Sequence, residues 1–267
     1  GTFKWKDGTI KPDAGSYDAE WEFIPDASYD GIYETVGGKV TVKVNKATVT
    51  GVSVKQKGAL IYSGQPQSAE VQITGIEGLE GVTFRYSTSP TSGYDTKVPE
   101  FTEADTYKIY YQADSDNYDI PDGTFTVTID PLPISFLSVA KISKTYDGTA
   151  SVVISPDTVT FFSKTAKLSS VTLPFTALTV SDAAFTKQQS DGGYLPSPEV
   201  GEGKALSFTM TLTSDNYVFE NKTKDTKTIH CDYATDGVNR FTITKGDAPE
   251  HTAFHPAVTV INGLAKT

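Results

Sequence analysis

The chain of 267 residues predicts an all-β fold, built as tandem β-sandwich modules in an elongated arrangement. Three observations predict it. A polar phrase closing on tyrosine recurs as Pro25-Asp26-Ala27-Ser28-Tyr29, Asp114-Ser115-Asp116-Asn117-Tyr118 and Thr213-Ser214-Asp215-Asn216-Tyr217. Its domain-sized period is the mark of repeated modules. Valine outnumbers leucine, and 14 Tyr, 14 Phe, 22 Gly and 14 Pro favour strands and turns over helices. Finally, no apolar run at helical spacing extends beyond about two turns.

The elements follow in order. Residues 1–47 predict a partial module. Phe3-Lys4-Trp5 is a strand, Tyr17, Ala19, Trp21 and Phe23 alternate inward, and Val40 to Val44 alternate again. Phe3-Lys4-Trp5 matches Phe84-Arg85-Tyr86, which lies well inside the second module. By that match the first module is truncated at its N-terminal side. Residues 48–133 give a whole sandwich of six or seven short strands separated by turns: Val52 and Val54, Leu60-Ile61, Val71 to Ile73, Val82 to Tyr86, Tyr107 to Tyr111 and Phe125 to Ile129. Residues 134–248 give a longer sandwich. Leu206, Phe208, Met210 and Leu212 alternate with polar residues, as a strand with one face in a core does. The extra length, Ser181 to Gly203 and Tyr217 to Phe241, reads as loops at the ends of that sandwich. Residues 249–267 read as a linker and the first strand, Ala257 to Gly263, of a following module. That strand is expected to pair with an open edge, such as one on the first module of a neighbouring molecule. Short junctions at Val44-Asn45-Lys46-Ala47, Ile129 to Pro133 and Ile243 to Asp247 leave adjacent modules little freedom.

Ala104-Asp105-Thr106-Tyr107 resembles the corner tyrosine of immunoglobulin-like domains, whose hydroxyl ties a strand end to nearby backbone. Ala14-Gly15-Ser16-Tyr17 repeats it, and the third module has Ala205 at that place. Thr145-Tyr146-Asp147-Gly148-Thr149-Ala150 resembles the signature of the YDG repeats of bacterial surface proteins. Tyr62-Ser63-Gly64-Gln65-Pro66, with Asp116-Asn117-Tyr118, is similar to the MBG repeats, and Gly1 to Ala47 resembles a repeat of cell-wall proteins of gut Firmicutes. The resemblance implies immunoglobulin-like modules of a secreted or wall-anchored protein, in a Gram-positive bacterium. It implies a role in adhesion, spacing or display rather than catalysis, with structural parts for Tyr17, Tyr107, Tyr29, Tyr118, Tyr217, Tyr146 and Gly148.

The net charge of −10 and pI near 4.8 exclude nucleic acid and anionic membrane surfaces as partners, since both need a basic footprint. No segment approaches the roughly 20 apolar residues of a membrane span. The single cysteine, Cys231, allows no intrachain disulfide. Neighbouring modules, with a host protein or glycan as further partner, are the partners expected, and no cofactor is.

Candidate chemistry is sparse. Asp114, Asp116 and Asp119 alternate and could offer oxygen ligands to Ca²⁺. The twelve-residue calcium loop needs Gly and Glu where Asp119 and Phe125 stand, and the same acids also make simple turns. Asp147-Gly148 reads as a hairpin turn. Glu20 and Glu22 are a carboxylate pair of the glycosidase kind, yet strand alternation sends both to solvent. His230-Cys231-Asp232 places reactive groups in sequence, though a catalytic Cys–His pair is defined in space. No metal site is expected, and exposed aromatics, Tyr33 and Tyr110, are the candidates for ligand stacking. The leading expectation is a non-catalytic stalk or adhesin segment; the alternative is a carbohydrate-binding module.

Overall fold

A computed structural model describes residues 1–221, 226–231 and 241–246. The expected strand at 257–263, its linker and Asp232 lie outside the described residues. The chain divides into two compact units, Gly1–Leu132 and Pro133–Thr267. Among the described residues every regular element longer than three residues is a β-strand, so the chain is all-β.

The first unit opens with a three-stranded antiparallel sheet of β1 (Thr2–Trp5), β2 (Gly15–Ile24) and β3 (Val36–Val44), in the order β1-β2-β3. Only two residues separate β3 from β4 (Ala47–Thr48). There follow β5 (Ser53–Lys57), β6 (Leu60–Ile61), β7 (Gln67–Ser68), β8 (Glu70–Thr74), β9 (Thr83–Ser87), β10 (Glu100–Phe101), β11 (Thr106–Asp114), β12 (Tyr118–Asp119) and β13 (Gly123–Asp130). One sheet runs β6-β13-β11-β9, and β5 pairs with β8 in a second layer. The core between them joins Phe84, Tyr86, Ile109, Tyr111, Phe125 and Val127 of the larger sheet to Val54, with Val71 and Ile73 packed against it. The alternation of β-branched and aromatic residues with polar ones fits one dry and one wet face.

The second unit is built from β14 (Leu132–Val139), β15 (Ile142–Thr145), β16 (Val159–Ser163), β17 (Leu168–Thr172), β18 (Leu178–Gln188), β19 (Tyr194–Pro196), β20 (Ala205–Leu212), β21 (Tyr217–Phe219), β22 (Lys227–Cys231) and β23 (Phe241–Thr244). Two four-stranded sheets form, β17-β16-β14-β21 and β19-β18-β20-β22, with β15 paired to β23. Phe136 of the first meets Phe208 of the second edge to face at 5.8 Å. Along β20, Leu206, Phe208, Met210 and Leu212 are buried and their neighbours are not, as the alternation predicts.

Both units use one device. A strand before a Tyr-x-Gly turn lies parallel to the closing strand: β6 on β13, with the Tyr62 amide donating to the Asp130 carbonyl at 2.8 Å, and β15 on β23, with the Tyr146 amide donating to the Thr244 carbonyl at 2.9 Å. In the first unit β13 also pairs antiparallel with β11. In the second these two tasks are divided. β22 takes the antiparallel place beside β20 and β23 the parallel place beside β15. The sequence pattern pointed to Phe241 to Ile243 as the strand after the third polar phrase; β21 and β22 come first.

A second difference concerns Ser181 to Gly203, expected as a loop. Most of its first half is the end of β18, which turns into β19, with Thr186 opposite Pro196 and Gln188 opposite Tyr194. A bulge between Ser181 and Ala184, with Asp182 at φ 53°, breaks the alternation that would have marked the strand. Phe185 resumes it and is fully buried.

Candidate functional site

Two tyrosines latch strand ends. The Tyr107 hydroxyl donates to the Glu103 carbonyl at 2.8 Å. The Tyr17 hydroxyl donates to the Lys11 carbonyl at 2.8 Å and accepts from the Lys11 amide at 2.9 Å. Tyr107 also stacks on Phe101 with ring centres 3.8 Å apart. Burial and the nearby Asp105 and Glu103 push its phenol pKa up.

The recurring polar phrase serves a different end in each copy. In the second copy the Ala47 amide donates to the Asn117 carbonyl at 2.9 Å, and the Val49 amide to Asp119 at 3.0 Å, so β4 lies parallel to β12. The Asn117 side chain reaches the first sheet: its Oδ1 accepts from the Ala14 amide at 2.8 Å and its Nδ2 donates to Asp13 at 3.0 Å. Lys46 donates to the Ser115 carbonyl at 2.6 Å. The connection at residues 44–48 is therefore bonded on both sides. In the third copy Tyr217 is buried beside β14, whereas Tyr118 is half-buried. In the first copy Ala27–Tyr29 forms a single 3-10 turn, and Tyr29 is exposed against Tyr33 at 5.8 Å. Tyr29 thus lacks the packing of its counterparts, because the chain leads from that turn into β3 without an intervening short strand like β12 or β21.

The Tyr146-Asp147-Gly148 segment is a turn. Asp147 accepts from the Thr149 amide and hydroxyl, both at 2.9 Å, and pairs with Lys144 at 2.8 Å. Hydrogen bonds from Lys144 and Thr149 lower its pKa to about 2. Gly148 has φ 80°, where a side chain is strained. Tyr146 is exposed.

The carboxylates do not gather. Asp114 pairs with Arg85 at 2.6 Å, Asp122 accepts from Gln112, and Asp119 is a strand residue opposite Thr48. Among the described residues no group of three His, Cys, Asp or Glu side chains could hold a metal, so Asp114, Asp116 and Asp119 form no calcium cage. Glu20 pairs with Lys6 at 3.2 Å and Lys39 at 3.1 Å, which lowers its pKa, and Glu22 pairs with Lys4 at 3.1 Å. Adjacent residues of β22 point to opposite faces, so Cys231 is buried while His230 is exposed. The partner of His230 is one the sequence did not reveal. Its Nδ1 lies 2.7 Å from the Ser207 hydroxyl, its cross-strand neighbour, and its ring stacks on Tyr194 at 4.4 Å. No carboxylate among the described residues bonds the other ring nitrogen. The trio is a cross-strand cluster on a sheet surface. Only knowledge that β20 and β22 are neighbours would have found it.

Tyr110 is half-buried under Lys108, whose ammonium lies 4.9 Å from the ring centre, while Tyr33 is exposed. Phe23, Tyr29, Tyr33 and Val36 line a cleft of about 540 Å³ together with Asp26 and Glu34.

No family model matches the chain, and no curated protein does. Among solved structures, the chain is similar to surface layer protein SbsC, domains 4–9, at 15% identity and a TM-score of 0.20, covering 88% of this chain and 36% of that one. It is also similar to the Bacteroides ovatus mixed-linkage glucan utilization locus protein SGBP-B, in complex with a mixed-linkage heptasaccharide. There the identity is 14% and the TM-score 0.16, over 91% of this chain and 60% of that one. The chain thus spans less than two thirds of each. No helix among the described residues is long and apolar enough to cross a membrane.

Proposed function

We propose that the chain is a non-catalytic structural segment, a stalk or adhesin portion of an extracellular or cell-wall protein of repeated β-modules. One observation carries this reading. The junction at residues 44–48 is clamped by β4 on β12 and by Asn117 on Asp13 and Ala14. A flexible tether needs no such bonds, whereas a load-bearing connection does. The resemblance of Tyr146 to Ala150 and Tyr62 to Pro66 to surface-protein repeats supports the same role.

The test is backbone relaxation by NMR together with a glycan panel. The β1–β3 sheet and the sandwich after it should share one rotational correlation time, and no glycan should bind at millimolar concentration or below. Independent tumbling would remove the basis of the structural reading. A second reading, a glycan-binding module, is favoured by the cleft at Tyr29 and Tyr33, where aromatic faces and the acceptors Asp26 and Glu34 suit a sugar ring. Binding of one glycan class, lost in Tyr33→Ala, would establish that reading instead.

A further inference from the structure

The β1–β3 sheet has two unlike faces. One carries Lys4, Glu22, Glu20 and Lys39, tied in ion pairs. The other presents Phe3, Trp5, Trp21, Val40 and Val42 along rows in which Phe3 faces Phe23, Trp5 faces Trp21 and Ala19 faces Val40. No charged residue falls on that face by register.

The same unit contains the finished version of this sheet. Trp5 opposite Trp21 and Trp21 opposite Gly38 correspond to Tyr86 opposite Tyr111 and Tyr111 opposite Gly123. Tyr17 opposite Val42 and Ala19 opposite Val40 correspond to Tyr107 opposite Val127 and Ile109 opposite Phe125. Even the glycines agree. A Cβ on Gly38 would meet the Trp21 ring at 3.0 Å, and one on Gly123 would meet the Tyr111 ring at 2.5 Å, so each aromatic lies across a residue that must be small. Yet exposure differs sharply. Phe84 and Tyr86 are 8% and 5% exposed, while Phe3 and Trp5 are 54% and 40% exposed. The difference is the covering layer: β5 and β8 bring Val54, Val71 and Ile73 onto the finished sheet, and Gln56 bonds the edge of β13 through both the amide and the carbonyl of Thr128.

We infer that the apolar face of β1–β3 is a docking surface for a two-stranded antiparallel layer of the β5/β8 kind, donated by another module of this type. The chemistry of the face selects that occupant. Its open centre is Val40 and the half-buried Val42, beside the already buried Ala19, and these offer sugar hydroxyls neither ring faces nor hydrogen-bond partners. A second copy of the same face would set Trp5, Trp21 and Phe3 against their own bulk, whereas valine and isoleucine on such a paired layer fill the spaces between the rings. The edge of β3 at Lys43, which corresponds to Thr128, stands open for a side-chain amide like that of Gln56.

The chain's two tryptophans, Trp5 and Trp21, both lie on this face and report on it directly. A second copy of residues 49–76 would be fused through a flexible linker to Gly1 of the full chain. Tryptophan emission should shift to the blue and acrylamide quenching should fall several-fold. Val40→Glu should abolish both effects, while Ser16→Glu on the charged face should keep them. Tryptophans as quenchable in the fusion as in the unfused chain would overturn the inference, as would protection that survives Val40→Glu. Concentration-dependent protection of the unfused chain, with a dimer in sedimentation, would assign the face to a second copy instead. A blue shift with a β-glucan oligosaccharide but not with the fused segment would assign it to a glycan.

Discussion

Tyr107 and Tyr17 make the same hydroxyl-to-carbonyl bond, and their settings separate their worth. Tyr107 is held between Phe101 and the strand end, so Tyr107→Phe removes a bond the geometry has already organised. A loss of about 1 kcal/mol is expected in urea unfolding, from the usual net value of an intramolecular hydrogen bond. A change indistinguishable from zero would show that the ring stack, not the hydroxyl, secures the corner. Asp147 offers a test in pH. Its folded pKa of about 2 lies below the ordinary 3.8 because Lys144 and Thr149 bond the ionised carboxylate. The group therefore adds stability above the ordinary value, and that contribution disappears as pH falls from near 4 through about 2. Its carboxyl ¹³C signal should titrate near 2, and Lys144→Met should move the midpoint upward, since Lys144 is the first cause of the shift. A midpoint near the ordinary value in the parent chain would mean that the turn is open in solution.

At the scale of elements, the polar phrase is one motif with three surroundings. Its side chains were legible in the sequence as turn formers, and Asn117 does sit in a turn. What was not legible is that Asn117 spends its amide on Asp13 and Ala14, residues over a hundred positions away. Asn117→Ala should release the Ala14 amide, speed its hydrogen exchange roughly tenfold, and destabilise the β1–β3 sheet by about 1–2 kcal/mol, the scale of two modest hydrogen bonds. Exchange within β20 should not change, because that strand belongs to the other unit. Faster exchange everywhere would mean a general loss of stability and not an opened clasp. The core strand β20 was legible because its alternation is unbroken. There Phe208→Ala should cost about 3–5 kcal/mol, as large cavities in closed cores do, measured by chemical denaturation. β18 was hidden for the opposite reason, since its bulge shifts every later side chain by one face.

For the whole molecule, composition and periodicity sufficed for the all-β class because they report local strand preference, which survives in any strand arrangement. Pairing is a non-local property, and there the sequence was a weaker guide. It marked Phe241 to Ile243, yet it did not show that an insertion had split one strand's work between β22 and β23. Nor could it set Ser207 against His230. The candidate site suffered most, since a sheet face becomes a site only through what does or does not cover it. The match between Phe3-Lys4-Trp5 and Phe84-Arg85-Tyr86 was visible in the sequence; the difference in exposure between them was not. That difference makes a last prediction about where stability resides. Residues 48–132 place nine side chains in one buried cluster, with nine more packed against it, whereas Ala19 alone of residues 1–47 belongs to the buried core. A three-stranded sheet with one bare apolar face is marginal by itself in water. As separate polypeptides, residues 48–132 should unfold in one cooperative thermal transition followed by circular dichroism, and residues 1–47 should show none. A cooperative transition in the shorter polypeptide would mean that its exposed aromatic face needs no partner for folding, and stability would have to be sought in the ion pairs of its charged face.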